Sequence, residues 1–466
     1  LYLIMTKSAE KLYMSYAVKN SEGAALMPSY IIRSMRKMFS HCLKLSYKDT
    51  AQQNSYVTIP RAANSFDNTE IAANVDEDII DSLTGGRLVG SVTSFENFAE
   101  CPLRYYLRYG VDLKEREEFT FSPVNFGVVL HAVIREVCDE IKKNGESYYL
   151  ISEEKRREMV KRSVAAITDI YQNSILKDSS RNSFMIKRME DLADRTVWAM
   201  GEQLKCGDFV PFVFEHKFNM EVGDGDRKQL MSGTIDRVDI CENGTDVYVR
   251  IIDYKTGKKD FNIVKTYYGI DIQLMVYMEA AMKLVAKMRP GKNVIPAGVF
   301  YYNISDPIVS ATTESADEIE DKIKGELRLK GMVNSDKDIA EKMDNTEGTS
   351  LNIPVSRKAD GGFDSRRSKV MNTEQFNMLG RFVDVRAVDT ADRIAGGDIR
   401  RSPYKDGQFS SCDRCPYGAV CGFSVDLPGC NYRKLKKFDD EVLWNNIKEG
   451  VDENGKKMDT GAEERD

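Results

Sequence analysis

The sequence predicts an α/β core, because strand-like and helical segments alternate through its central region. Three runs rich in β-branched and aromatic residues are separated by the turn-forming stretches GDGDRK and CENGTD, which predicts an antiparallel meander. The runs are FVFEHKFNM, QLMSGTIDRVDI and DVYVRIIDYK. An amphipathic helix precedes them, and a second helix (DIQLMVYMEAAMKLVAKM) and a further strand (IPAGVFYYNI) follow them. The order helix, three strands, helix, strand is typical of an α/β core.

The elements before this core are predicted from turns and helix caps. Residues 1–45 have the pattern of a strand and a helix, and residues 46–90 form a polar linker. Thr93 and Glu96 predict a capping box for a short helix, and Pro102 opens another helix in CPLRYYLRYG. The amphipathic helix FGVVLHAVIREVCDEIKK carries one apolar stripe, formed by Leu130, Ile134, Val137 and Ile141.

The elements after the amphipathic helix complete the predicted organisation. Residues from about 150 to 205 are helical and charged, and residues from about 310 to 370 form an insertion that is partly loop. The stretch NTEQFNMLGRFVDVRAVDTADRIAGG is a helix that ends in glycine. One large domain therefore covers residues 91–430, and residues 431–466 are predicted to be a charged C-terminal tail.

Composition excludes some classes of protein and places the chain among ordinary globular ones. The 466 residues are 42% hydrophobic and 30% charged, with a net charge of −6 that does not favour a nucleic-acid binder on overall charge alone. No apolar run reaches the roughly 18 residues of a membrane span, and the first residues lack the pattern of a signal peptide. We therefore expect a cytoplasmic protein with no membrane partner. Because the chain begins at Leu1 in mid-pattern, we interpret it as a fragment of a longer protein.

A short motif in the third strand-like run is chemically unusual. The run VRIIDYKTGKKD is apolar until Asp253 and Lys255 appear at its end. Because side chains alternate along a strand, these two residues lie on the same face. Asp236, in the neighbouring run, adds a second carboxylate, and carboxylates at adjacent strand ends can bind Mg²⁺ or Mn²⁺. A bare Asp-x-Lys pair is more often an ordinary ion pair, so the interpretation depends on the surrounding residues.

Three residues on the flanking helices favour an active site over an ordinary ion pair. His131 lies at the edge of the apolar stripe, where a histidine is usually a packed core residue but can be a third metal ligand. Gln273 and Tyr277 are one turn apart and share one face of the following helix. Their hydrogen-bonding groups are suited to positioning a substrate backbone.

The nine cysteines include one group with the spacing of a metal or cluster site. CDRCPYGAVC places Cys412, Cys415 and Cys421 close together, and Cys101 lies far upstream as a candidate fourth ligand. Four thiolates suit either a structural zinc ion or an iron–sulfur cluster. Spacing alone does not choose between these two.

These residues together resemble the RecB-type nuclease domain of the PD-(D/E)XK superfamily. The matching features occur in the family's order and are His131, the G-x-x-D of Gly233 to Asp236, the D-x-K of DYKTG and the Q-x-x-x-Y of Gln273 to Tyr277. The resemblance implies a restriction-endonuclease-like core, in which a mixed sheet is flanked by helices and carries helical insertions.

The same resemblance implies roles for individual residues. The implied catalytic residues are Asp236, Asp253, Lys255, Gln273 and Tyr277, and the implied metal ligands are His131, Asp236 and Asp253. Glu215 stands where such domains often carry an acid and is a candidate supporting residue, although a strand glutamate beside a lysine is equally expected.

The cysteines extend the resemblance to the AddB-type family of Firmicutes. One cysteine before the nuclease core and three after it resemble that family's iron–sulfur clasp, which implies a 4Fe-4S cluster on Cys101, Cys412, Cys415 and Cys421. The stretch LYLIMTKSAEKLYMSYA resembles the last conserved segment of superfamily 1 helicases, with Lys7 where an arginine is usual. Residues 1–45 are then the end of a helicase-like domain.

The resemblance implies an exonuclease that cuts DNA, on the 5′-ended strand, during ATP-dependent resection of double-strand breaks with an AddA partner. Two other functions stay open: a non-catalytic DNA-binding scaffold with a decayed core, and a stand-alone RecB-like nuclease of the CRISPR-associated kind. The intact acidic residues argue against the first, and the helicase-like segment and large insertion argue against the second.

Overall fold

The computed structural model divides the chain into two units, Leu1–Asp67 and Asn68–Asp466. It describes residues 16, 26–27, 29–38, 74–76, 78–79, 89–114, 123–170, 180–222, 229–310, 315–426 and 430–463. In the first unit the described element is helix α1 (Tyr30–Met38). Lys7, the strand expected before it and most of the predicted linker lie outside the described residues.

The described part of the second unit is built on a seven-stranded mixed sheet. Its strands are β1 (Val89–Ser91), β2 (Val210–Val222), β3 (Gln229–Asn243), β4 (Asp246–Lys255), β5 (Asn293–Asn303), β6 (Lys330–Asn334) and β7 (Val370–Met371). The order is β1-β3-β4-β5-β6-β7, with β2 also paired to β3. The predicted meander of β2, β3 and β4 is antiparallel, whereas β5 joins β4 in parallel after a helical crossover. The predicted α/β class is confirmed.

Helices cover both faces of this sheet. They are α2 (Val92–Glu100), α3 (Pro102–Tyr105) with a following π-helical turn (Tyr106–Gly110), α4 (Pro123–Lys143), α5 (Glu153–Ile170), α6 (Ser180–Lys205), α7 (Ile263–Tyr267), α8 (Gln273–Met288), α9 (Ala316–Glu326), α10 (Lys337–Met343), α11 (Thr373–Ala395), α12 (Gly418–Cys421) and α13 (Asp440–Glu463). One apolar cluster packs α4, α5 and α6 against the sheet, and another packs α8, α11 and α13. The apolar stripe of α4 is fully buried, as predicted. Across the described residues we find no helix with the length and apolarity of a membrane span.

A buried group of charges holds β3 in register with β4. Asp239 pairs with Arg250 across the two strands. Its Oδ2 lies 2.8 Å from Nε of Arg250 and 2.6 Å from Nη2 of Arg237, and all three side chains are buried. Removing one partner of such a buried group costs about 3–5 kcal/mol, because the remaining charge is left uncompensated. The register that this group stabilises brings the middle of β3 beside the end of β4.

Two local predictions differ from the structure. The cap of α2 is Ser91, whose hydroxyl accepts a hydrogen bond from the Ser94 backbone nitrogen, so the predicted Thr93–Glu96 capping box is wrong. Residues 431–466, predicted as a charged tail, contain α13, which buries Leu443 and Ile447 because these residues are one turn apart and face the core.

Candidate active site

The Asp-x-Lys motif lies at the end of β4, where the buried sheet meets solvent. Asp253 is 2% exposed. Lys255 Nζ lies 2.5 Å from Oδ2 of Asp253, and Nε2 of Gln273 donates to Oδ1 over 3.0 Å. Both oxygens of this buried carboxylate therefore have partners on neighbouring elements, and the partner of Oδ2 is a cation.

Asp236 lies at the matching position on β3. The antiparallel register pairs Arg237 with Ile252. Asp236, just before Arg237, and Asp253, just after Ile252, therefore face each other. Oδ2 of Asp236 accepts a hydrogen bond from the backbone nitrogen of Tyr254 over 2.6 Å. The middle of β3 and the end of β4 thus place two carboxylates in one site, with Lys255 beside them, so the expectation that both acids lie at strand ends holds only for Asp253.

His131 and Glu215 bring a third and fourth group to Asp236. Nδ1 of His131, on α4, lies 3.4 Å from Oδ1 of Asp236 and 3.9 Å from Oε1 of Glu215. The ligand atoms of these three residues all lie within 4.8 Å of one another, and this is the one such group in the described residues. Glu215 has a φ of 48°, which is rare for a residue with a Cβ atom. Asp253 is outside this tight group and contacts Lys255 instead.

The surroundings of the site disfavour the ionised form of its carboxyl groups when no cation is bound. Burial raises the pKa of Asp253 to about 6, and the nearby Asp236 charge adds to this effect, while Lys255 opposes it. Burial and Asp236 also raise the pKa of Glu215. For His131, burial lowers the pKa, but the hydrogen bond and charge of Asp236 outweigh burial, so the net pKa is raised. A divalent cation would compensate this concentration of acids, and an oxygen-rich donor set with one imidazole fits Mg²⁺ or Mn²⁺.

Gln273 and Tyr277 form the opposite wall of the site. Nε2 of Gln273 donates both to Asp253 Oδ1 and to the hydroxyl of Tyr277, each over 3.0 Å. Gly233 permits this arrangement, since a Cβ atom there would lie 2.7 Å from the Phe218 ring and 3.0 Å from the Tyr277 ring. The structure therefore brings every residue of the predicted active site together around the end of β4.

A profile of the PD-(D/E)XK nuclease superfamily matches residues 90–422, which include the whole of this site. The chain belongs to this superfamily. PD-(D/E)XK nucleases use divalent metals, in agreement with the donor set around Asp236. The match covers the sheet, the helices that carry His131 and Gln273, and all four grouped cysteines.

Curated relatives of this PD-(D/E)XK chain are named as the B subunit of an "ATP-dependent helicase/deoxyribonuclease". The protein from Clostridium acetobutylicum is 30% identical over 97% of this chain and 44% of its own length. That from Caldanaerobacter subterraneus subsp. tengcongensis is 31% identical over 100% of this chain and 45% of its own length. The protein from Lachnoclostridium phytofermentans is 30% identical over 100% of this chain and 44% of its own length. The resemblance to proteins of this type is confirmed, and the chain spans less than half the length of these relatives.

Glu96 also belongs to this PD-(D/E)XK site, although the sequence patterns did not place it there. Its Oε1 accepts hydrogen bonds from the backbone nitrogens of Ile272 and Gln273, over 2.9 and 3.0 Å. Ile272, the N-cap of α8, has no side-chain cap of its own, so Glu96 caps that helix from a distant part of the chain. Burial raises the pKa of Glu96 to about 7, and the nearby Lys259 opposes this effect. The sequence contains one signal for this role. Glu96 lies among the apolar positions of α2, and an acid that is buried there needs a hydrogen-bond partner.

Replacing Glu96 with alanine is expected to slow cleavage by about tenfold to a hundredfold, because loss of the cap frees Gln273 to shift away from Asp253. Glu96→Gln keeps an acceptor oxygen and should recover most of the rate. Single-turnover cleavage of labelled DNA measures the effect, with Glu100→Ala on the same helix as the control. Equal rates for Glu96→Ala and the unsubstituted chain would show that the cap does not position Gln273.

The four grouped cysteines meet at a second location, although they lie at opposite ends of the domain. Two hydrogen bonds join these ends: Leu103 N donates to Arg400 O over 3.3 Å, and the side chain of Arg433 donates to Ala99 O. A small second sheet lies here, formed by β8 (Tyr404–Asp406), β9 (Phe409–Ser410) and β10 (Arg433–Lys434). None of the described cysteines forms a disulfide.

The thiols of this group influence one another, which shows that they are close. Burial raises the pKa of Cys412, and Cys101, Cys415 and Cys421 each add to the rise. The four thiols therefore form one group, and such a group suits either a zinc ion or an iron–sulfur cluster.

Proposed function

We propose that this chain is the nuclease part of a two-subunit helicase–nuclease and hydrolyses phosphodiester bonds in DNA with a divalent metal. The observation that carries the proposal is the convergence of the buried Asp253 carboxylate, paired with the Lys255 amine, and Asp236 at one place beside His131 and Glu215. A decayed scaffold would not need to keep a buried carboxylate in this costly state. The names of the curated relatives support the same function.

Residues of this chain have distinct roles in the proposed reaction. The proposed ligands of Mg²⁺ or Mn²⁺ are Asp236, Asp253, His131 and Glu215. Glu215 is added to the predicted ligands because its ligand atom lies within 4.8 Å of those of His131 and Asp236. When bound, the cation polarises the phosphoryl group and lowers the pKa of a bound water. Lys255 places a positive charge where negative charge develops, and Gln273 keeps the Asp253 carboxylate in its orientation.

The four grouped cysteines are proposed to hold a 4Fe-4S cluster. The convergence of thiols from both ends of the domain supports a shared metal centre, and the resemblance of the cysteine pattern to the iron–sulfur clasp supports a cluster as that centre. The cluster would join Cys101 on the N-terminal side of the nuclease core to the Cys412–Cys421 segment. Its role in this proposal is structural, since the acidic site at the end of β4 contains none of these cysteines.

The partner and substrate are proposed from the relatives' names and from the resemblance. Because the relatives are named as one subunit of an enzyme, a second subunit is implied, and we propose an AddA-type helicase–nuclease as that partner. The complex would act in the cytoplasm on DNA ends, and this chain would cut the 5′-ended strand during resection for recombinational repair. The net charge of −6 fits a nuclease that receives its strand from a partner.

Cleavage of end-labelled single-stranded DNA tests this proposal. We expect cleavage with Mg²⁺ or Mn²⁺, by the chain alone or together with the helicase partner, no cleavage in EDTA, and recovery when Mg²⁺ is restored. Labels on the 5′ or 3′ end, together with a duplex substrate for the complex, identify the strand that is cut. The proposal is wrong if neither the chain nor the complex cleaves DNA in any divalent metal.

A further inference from the structure

A cavity with an unusual charge opens beside the end of β4. Its volume is about 910 Å³, and its walls include the loop that follows Lys255, the residues after β5 and the segment that leads into β6. Three lining side chains are acidic and six are basic, although the net charge of the chain is −6. The basic ones are Arg188, Lys258, Lys259, Arg328, Lys330 and Lys369.

Two of the three acidic side chains are already neutralised by other cations. Asp260 Oδ2 lies 2.5 Å from Nζ of Lys369, and Asp306 Oδ1 lies 3.2 Å from Nε of Arg195, which is outside the lining. Because these two carboxylates are already paired, they offset little of the positive charge on the other basic side chains of the cavity.

The remaining charge lies on Arg188, Lys258, Arg328 and Lys330, because Lys369 pairs with Asp260 and Lys259 pairs with Asp271. Within the described part of the chain, neither Arg328 nor Lys330 forms an ion pair with a carboxylate, and the buried Nε of Arg328 has no hydrogen-bond partner. Burial lowers the pKa of Lys330, and the adjacent Arg328 charge lowers it further. Asp260 and Glu326 oppose this lowering, but the two half-buried cations still lie beside each other, and a bound anion would satisfy both.

The cavity lies next to the loop that follows the Asp-x-Lys motif. Thr256 and Gly257, which line it, directly follow Lys255 in the chain. The loop is held in place by Asn303, which exchanges two hydrogen bonds of 3.0 Å with the backbone of Lys259. Asn303, which also lines the cavity, is the register partner of Lys255. A polymer bound at Lys255 would therefore lie within reach of the cavity.

We propose that Arg328 and Lys330 bind backbone phosphates of single-stranded DNA next to the bond that is cut, an inference that rests on the proposed nuclease function. Arginine and lysine are the side chains that neutralise phosphates in protein–DNA contacts. The cavity has the size of a ligand pocket, for which about 300–1,000 Å³ is usual, so it accepts nucleotides of one strand and does not enclose a duplex. Because the cavity lies next to the loop that follows Lys255, the bound molecule is more readily the substrate strand than a free nucleotide.

Binding measured without cleavage tests this subsite directly. In an Asp253→Ala background, Lys330→Gln or Arg328→Gln should weaken binding of a fluorescein-labelled single-stranded oligonucleotide by about tenfold, as expected for loss of a charged hydrogen bond. Each change should also reduce the slope of log affinity against log salt by about 0.7. Lys292→Gln removes the same charge at the other end of β5 and should change neither quantity.

A second measurement identifies the contacted phosphates. Oligonucleotides with one neutral methylphosphonate linkage, moved stepwise along the strand, should bind more weakly when that linkage faces the cavity. In the Lys330→Gln variant the same linkage should have no further effect, because its protein partner is already gone. With Asp253 intact, Lys330→Gln should raise KM and leave kcat nearly unchanged.

The outcomes separate this inference from the nuclease proposal. If Lys330→Gln and Arg328→Gln bind DNA like the Lys292→Gln control, with equal melting temperatures, the subsite is wrong even where the unsubstituted chain cleaves DNA. If the unsubstituted chain and its complex cleave nothing, the nuclease proposal fails on that result alone. A methylphosphonate effect that persists in Lys330→Gln and in Arg328→Gln would place the contacted phosphate elsewhere and overturn the inference.

Discussion

Replacing Asp253 with alanine is expected to reduce DNA cleavage by at least about a thousandfold, which corresponds to about 4 kcal/mol of activation free energy. The change removes a buried carboxylate that faces Asp236, that is a proposed metal ligand and that Gln273 and Lys255 hold in place. Lys255→Ala should cause a loss of similar size, because it removes the charge that stabilises the developing negative charge. Cleavage rates at saturating Mg²⁺ measure both effects.

The fold should survive the Asp253 change. Burial raises the pKa of Asp253 to about 6, so its ionised form is unfavourable in the metal-free protein. We therefore expect the metal-free melting temperature of Asp253→Ala at neutral pH to equal or exceed that of the unsubstituted chain. Asp246→Ala, at the other end of β4, is the matched control and should cleave normally. Near-normal cleavage by Asp253→Ala would contradict the assignment of the active site.

Replacing Cys412 with serine is expected to remove the iron and to destabilise the whole domain. A cluster on Cys101 and Cys412 closes a loop that contains the entire nuclease core, which on a simple chain-entropy model contributes roughly 5 kcal/mol. That is a large part of a typical folding stability of about 5–15 kcal/mol. Iron and sulfide analysis, visible absorption, thermal melting and limited proteolysis of anaerobically purified protein measure these losses.

Cys206→Ser is the control for this experiment, since Cys206 is a half-buried cysteine away from the group. It should keep the iron and the visible absorption. Iron content that is unchanged in Cys412→Ser would contradict the proposed ligand. One equivalent of zinc in place of iron, in the unsubstituted chain, would show that the four thiols hold a metal ion and not a cluster.

The core elements and the central motif could be read from local patterns. The alternation in β4 placed Asp253 and Lys255 on one face, and the apolar stripe of α4 located the helix that carries His131. Such patterns are short-range, because a strand repeats every two residues and a helix every 3.6, so a single segment contains the information. The spacing of Gln273 and Tyr277 on one helix face is of the same kind.

Contacts between distant segments required the tertiary structure. Glu96 caps a helix that begins 176 residues later, so its local sequence suggested a capping box that does not form. The approach of Glu215 to His131 depends on a left-handed residue within β2, which no alternation pattern predicts.

The sequence by itself therefore determined which side chains are candidates for the chemistry and on which element each one lies, because those patterns are local. Only the tertiary structure decided that Glu96 and Glu215 join them and that Arg328 and Lys330 line a cavity at the end of β4. The physical reason is that helix capping, burial of charge and cavity shape arise when segments far apart in the chain pack against each other. Their energies depend on neighbours that the local sequence does not contain.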